Sequence, residues 1–83
     1  MLYVNRGNIE IVEVEIRKNS LVAGKEVKSL NLPAEALIIS VIRDGHAILP
    51  AGDTVFSIGD SVIALVGADK EHELRIVFGE NSD

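Results

Sequence analysis

The chain contains no cysteine. That absence excludes disulfides, thiolate nucleophiles and cysteine-ligated zinc or iron–sulfur centres, and it fits a reducing compartment. Only two prolines accompany 47% apolar residues, a balance unlike that of disordered chains. Positive charge is also scarce: 8 Lys and Arg stand against 13 Asp and Glu, for a net charge of −5. Without a basic patch there is no counterion release to drive binding, so a nucleic-acid backbone is excluded as a partner. Long hydrophobic runs are missing too. The longest, Val62-Ile63-Ala64-Leu65-Val66, falls far short of the roughly 20 residues a membrane span needs and reads as a strand. The opening Met1-Leu2-Tyr3-Val4-Asn5-Arg6 lacks the basic and then apolar regions of a secretory signal. A soluble, cytoplasmic protein is expected.

What is present fits one small domain. Its 83 residues support a thin core, since a domain of this size buries only about 60% of its unfolded surface, and a partner subunit would help it. Valine and isoleucine number 20 and come in short bursts, which favours strands. In the first burst the apolar set moves from odd positions (Ile9, Ile11) to even ones (Val12, Val14, Ile16), with Glu10, Glu13 and Glu15 between. This phase slip predicts a bulge at Ile11-Val12. Val27 and Leu30 fit a short helix after Gly24 that Pro33 ends. Leu37 to Ile42 predicts a strand, and Asp44-Gly45 predicts a type I′ hairpin turn returning through Ala47-Ile48-Leu49. Turns at Pro50–Asp53 and Ile58–Asp60 flank a brief extended piece, Thr54–Ser57. Ser61–Val66, apolar throughout, is expected at the sheet centre, covered on both faces. Asp69 is a candidate N-cap for a last helix bearing Leu74, Val77 and Phe78, with Glu71 and Arg75 paired four residues apart and Gly79 as its stop.

The fold class expected is α+β: a single domain with a mixed, mostly antiparallel sheet of about four strands, a β-hairpin and two short helices on one face. Residues 1–8 read as a leader, 9–79 as the domain and 80–83 as a tail.

Catalytic machinery is hard to find. No Gly-x-Ser-x-Gly or His-Glu-x-x-His motif occurs, and the glycines at 45, 52, 59 and 67 are too far apart for a phosphate loop. His46 and His72 read as surface residues. Asp53 and Asp60 could form an acid pair for a small hydrolase, but each follows a glycine and reads first as a turn residue bonding nearby amides. Glu10, Glu13 and Glu15 offer oxygens to a divalent cation, yet Glu10 and Glu13 point to opposite faces of a regular strand. Neither a catalytic nor a metal site is expected. Arg43, before a tight turn and near Ile38-Ile39, is the side chain placed to meet a phosphate or carboxylate.

Four pieces in order carry a resemblance: Ser20–Val27 with Leu30–Pro33, Val41–Gly45, Ile48–Thr54 and Gly59–Gly67. Together they resemble the C-terminal lobe of regulator-of-K⁺-conductance proteins, the RCK-C or TrkA C-terminal domain, over about residues 9–78. The resemblance implies a non-enzymatic, cytoplasmic regulatory lobe of a potassium (cation) transport system, acting through dimerisation and ligand binding. The implied partners are a second copy in a homodimer, a potassium channel or transporter membrane subunit at the inner face of the membrane, and an N-terminal Rossmann lobe. Any NAD or ATP site would lie on that separate lobe, so no cofactor is expected in this chain. The implied effector is a cyclic dinucleotide, cyclic di-AMP being the best known. Its pattern maps Ile38 and Ile39 onto an apolar pair and Arg43 onto the basic position. The asparagine position falls near Ile48 or Leu49, which have no amide, and His46 is the nearest polar substitute. The alternative is a purely structural dimerisation domain of a transporter or antiporter with no effector.

Overall fold

Side chains alternate sides along a strand, so a run that is apolar at every position makes two apolar faces. This property organises the molecule. The computed structural model describes residues 3–79. Its strands are β1 (Tyr3–Arg6), β2 (Ile9–Glu15), β3 (Ala36–Arg43), β4 (His46–Ile48) and β5 (Ser61–Gly67). They form one five-stranded sheet in the order β1-β2-β5-β3-β4, with every pairing antiparallel. A single α-helix, α1 (Glu71–Val77), and 3-10 turns at Val27–Ser29 and Ala68–Lys70 complete the described elements.

The core lies on one side of the sheet. Val12, Val14 and Ile16 from β2 and just beyond it, Val41 from β3, and Val62, Ala64 and Val66 from β5 are buried against Val22, Phe56, Leu74 and Phe78. The covering layer is α1 together with two irregular segments that zip to each other. Gly24 N–H donates to the Phe56 carbonyl, Phe56 N–H to that of Lys25, and Val27 N–H to that of Thr54. Those bonds satisfy backbone groups that would otherwise be lost to water as Phe56 descends into the core. Phe56 meets Phe78 edge to face, with ring centroids 5.8 Å apart, the geometry that ring quadrupoles favour.

The expected α+β architecture holds, with the hairpin turn at Asp44-Gly45 in the left-handed conformation at both residues (φ 52° and 77°). Several local expectations are corrected. The expected leader includes β1, whose backbone pairs with β2, so the sheet gains an edge strand. No bulge interrupts β2: its register with β5 is continuous. The apparent phase slip arises because apolar residues occupy both faces, with Glu10 on the core side. The irregularity sits instead in β3, between Ile38 and Ser40. The helix expected after Gly24 is one 3-10 turn, Val27–Ser29, since strand-like bonding to Thr54 and Gly52 takes its amides. Asp69 does not cap α1; Lys70 holds that position with no side-chain bond, because the 3-10 turn containing Asp69 leads straight into the helix. β5 is central, but its second face is only half-buried. The tail at 80–83 lies outside the described residues.

Two glycines test the backbone argument. Gly45 and Gly79 both have positive φ (77° and 73°), but a Cβ at Gly45 would meet open space, whereas one at Gly79 would lie 2.8 Å from the Leu21 amide nitrogen. Gly45→Ala should therefore cost about 1–2 kcal/mol from left-handed strain alone. Gly79→Ala should cost about 3 kcal/mol once the overlap is added. Urea unfolding of the two variants checks the ranking.

Candidate functional site

The hairpin end of β3 carries the residues with the strongest electrostatic coupling. Asp60 follows Gly59 in the turn before β5, and its side chain is only 1% exposed. Burying a carboxylate there requires partners, and it has them. Arg43 Nε donates to Oδ1 at 2.9 Å and Arg43 Nη2 to Oδ2 at 2.8 Å, a two-point contact. The Ser57 amide donates to Oδ2 at 2.8 Å. Nη2 also donates to the Val55 carbonyl at 2.8 Å. The backbone of Asp60 ties in a third element, accepting from the Ile16 amide at 2.8 Å. One residue, through its carboxyl group and its backbone carbonyl, thus joins the end of β2, the turn before β5 and the β3–β4 hairpin.

This arrangement shifts the two titrations in opposite directions, each toward the charged form. The hydrogen bonds from Arg43 hold the Asp60 carboxyl below its ordinary range, overcoming the opposing effect of burial, with the Ser57 amide adding to the lowering. The hydrogen bond to Asp60 in turn raises Arg43 above its ordinary value. The turn role expected for Asp60 is therefore present, but its bond to Arg43 across 17 residues was not legible. Asp53 is exposed and stands apart from it.

The four residues named from the resemblance are distributed unevenly. Arg43 and His46 are register partners across the hairpin, with His46 exposed. Ile39 is half-buried at the β3 irregularity. Ile38 pairs with Ala64 and turns into the core, 8% exposed. Near the asparagine position, Ile48 pairs with Val41 and Leu49 is 87% exposed. Glu10 lies on the core side while Glu13 and Glu15, farther along β2, lie on its other face, and no cluster of metal-ligating side chains occurs among the described residues. His72 is exposed on α1, where Glu71 and Arg75 form the expected pair.

Two further features lie elsewhere. At the opposite end of β3, a cavity of about 540 Å³ is lined by Asn8, Ile9, Glu35, Leu37 and Leu65 among others. With a strand rise of ~3.3 Å per residue, it stands roughly 20 Å from Arg43. On the sheet face leading to it Ile9 and Leu37 are exposed, with Glu13, Ile63 and Ser40 in register farther along. No helix among the described residues is long and apolar enough to cross a membrane.

A family model, the TrkA-C domain, matches residues 11–79. The chain belongs to the TrkA-C domain family, as the order of its turn and strand pieces indicated. Among curated proteins it is 34% identical over 73 residues to a Trk system potassium uptake protein TrkA homolog of Archaeoglobus fulgidus, covering 88% of this chain and 17% of that one. It is 42% identical over 74 residues to a TrkA homolog of Pyrococcus horikoshii, covering 88% of this chain and 32% of that one. The chain thus spans a third or less of these relatives' length. Its fold matches the RCK_C domain dimer of S. agalactiae BusR in complex with c-di-AMP, with a TM-score of 0.72 at 22% identity over 86% of this chain and 97% of that one. It also matches an RCK domain structure with cda, with a TM-score of 0.65 at 20% identity over 84% of this chain and 94% of that one.

The Asp60 pair yields a pH-dependent expectation. Because the folded-state value is lowered, its stabilisation is complete above the ordinary carboxylate range and is lost as pH falls through the lowered native value. Asp60→Ala leaves Arg43 and the Ser57 amide without their acceptor and should cost about 3–5 kcal/mol at neutral pH. The variant should also lose that part of the acid-induced destabilisation. Thermal melts of both proteins from neutral to strongly acidic pH measure it.

Proposed function

We propose that this domain is a non-enzymatic regulatory lobe of a potassium-transport system, working as a homodimer at the cytoplasmic face and reading a small effector near the β3–β4 hairpin. The observation that carries the reading is the TrkA-C match over residues 11–79. Curated relatives are Trk potassium uptake proteins, and a neighbour in fold is an RCK_C dimer with c-di-AMP. The relatives are longer than this chain, and by family resemblance the proposed partners are a membrane subunit and an N-terminal lobe for NAD or ATP.

The effector surface proposed is Ile39, Arg43 and His46. Ile38 sits beneath it as core, supporting the strand rather than touching a ligand. Arg43's side chain is 35% exposed, so a phosphate could approach its outer side while Asp60 holds the inner one. That geometry supports a cyclic dinucleotide as the ligand. The mechanism is a population shift: an effector held between two lobes favours one mutual orientation by its difference in affinity for the alternatives. A purely structural dimerisation domain is the second reading. It is favoured by the engagement of Arg43 with Asp60 and Val55, which fully explains that arginine without a ligand.

Calorimetric titration with cyclic di-AMP, with AMP and with divalent cations separates the two readings. Binding of the cyclic dinucleotide is expected, weakened about tenfold by His46→Ala or Ile39→Ser, a loss of ~1.4 kcal/mol, with melting temperatures little changed for the exposed His46. These positions are chosen because substituting Arg43 would disturb folding as well as binding. No heat with any of these ligands would overturn the effector reading and leave the structural one.

A further inference from the structure

We infer that Asp60 is a positioning residue for the effector: it touches no ligand, but it fixes the Arg43 guanidinium in one orientation and so decides which edge a ligand meets. The inference rests on the effector reading above and adds to it a residue that lies out of a ligand's reach. Asp60 is 1% exposed, too buried to touch anything approaching from outside.

A guanidinium carries five N–H donors in a rigid plane. In Arg43, Nε is committed to Asp60 Oδ1 at 2.9 Å. Nη2 is committed twice, to Oδ2 and to the Val55 carbonyl, each at 2.8 Å. The two N–H groups of Nη1 have no acceptor among the described residues. Since the side chain remains 35% exposed, Nη1 is the part of it left to donate to a ligand. Turning the guanidinium to present another edge would strip a buried carboxylate of its partner, a costly exchange.

Two effects of Asp60 on affinity oppose each other. Its negative charge offsets that of Arg43 and weakens the attraction for an anion. Its two-point hold removes rotamer freedom that an arginine otherwise loses when it binds. The Coulomb effect is limited, because a part-exposed site is screened by solvent and salt. The loss of freedom is not screened, so positioning prevails. Removing the Asp60 charge should therefore weaken binding even though it makes the site more positive.

Asp44 supplies the matching comparison. It is exposed, and its charge acts on Arg43 in the same direction as that of Asp60, but through space only. At φ 52° it holds the left-handed conformation that asparagine also accepts. Asp44→Asn thus removes one charge and leaves the turn intact. Asp60→Asn removes one charge and, because an amide has a single acceptor oxygen, also ends the two-point contact.

Calorimetric titration of the full chain with cyclic di-AMP, with circular dichroism as the check on folding, tests the inference. Asp60→Asn is expected to weaken binding about tenfold, the size of one side chain's regained freedom. Asp44→Asn should leave binding unchanged or tighten it. Arginine side-chain nitrogen NMR of the wild-type protein gives a second readout, one that a merely structural role would not move. Cyclic di-AMP should shift the Arg43 signals and leave those of the exposed Arg17 in place. Should Asp60→Asn fail to fold, this measurement decides, and Arg43 signals unmoved by a ligand that binds would overturn the inference. Equal binding by wild type and a folded Asp60→Asn, or equal weakening by both asparagine variants, would overturn the positioning role and leave the effector reading standing. No heat from the wild-type protein would overturn the effector reading, and the inference with it.

Discussion

The arrangement depends on β5 carrying apolar side chains at almost every position while only one layer of structure covers the sheet. Val62, Ala64 and Val66 are sealed beneath Phe56, Phe78 and Leu74, but Ile63 and Leu65 point the other way. Among the described residues the buried core lies on one side of the sheet alone. Apolar surface left at a sheet face is a recognisable interaction surface in a soluble protein. The fold is thus economical inside and unfinished outside. Its flanking strands repeat the theme, since β2 and β3 place Ile11 and Leu37 in register with Leu65.

The second constraint is electrostatic. Asp60 is buried at the end of the sheet away from the cavity, and its carboxylate is tolerated because Arg43 and the Ser57 amide answer it. Replacing such a pair by apolar residues can be neutral in stability, so stability alone does not explain it. What the pair does give is a fixed relation between the end of β3 and the turn before β5, to which the Asp60 carbonyl adds the end of β2. A hydrophobic contact would allow sliding, whereas a planar guanidinium engaged at two points allows very little. The hairpin bearing His46 is held in one orientation relative to the sheet as a consequence.

Much of this could be read from the residues. Asp44-Gly45 announced its turn because positive φ at two successive residues leaves few other choices, and Leu74, Val77, Phe78 and Gly79 outlined α1 and its end. The order of the punctuated pieces pointed to the family. Reading failed where two explanations share one pattern. A change of apolar phase in β2 looks like a bulge, but it looks the same when both faces are apolar, and only the register with β5 separates these. The true irregularity at Ile38–Ser40 falls within a stretch, 36–42, that is apolar on both sides of Ser40 and so shows no phase to slip. The candidate site was legible in part. Arg43 stood out as a charge beside apolar neighbours, but its partner lies 17 residues away, and local spacing says nothing about pairs at that distance. The first strand, four residues long, lay in a segment too short and too polar to show alternation.

These features meet on β3. One end of the strand, at Ala36 and Leu37, borders the cavity and the bare face; the other, at Arg43, is fastened to Asp60. Between them lies the one register shift recorded between β3 and β5, at Ile38–Ser40. A bulge increases local twist and re-aims the residues beyond it, so it sets the angle between the Leu37 end of the strand and the hairpin. A regular strand would transmit a displacement of the hairpin only as rigid motion of the whole sheet. A strand with an irregular step between two anchored ends has a place where a change in relative angle can be absorbed or stored. The step around Ile39 is the one departure from regular pairing between the two ends of β3. β5, by contrast, pairs on both sides, in unbroken register with β2, so the irregular step belongs to β3 alone and the central rows keep their regular spacing.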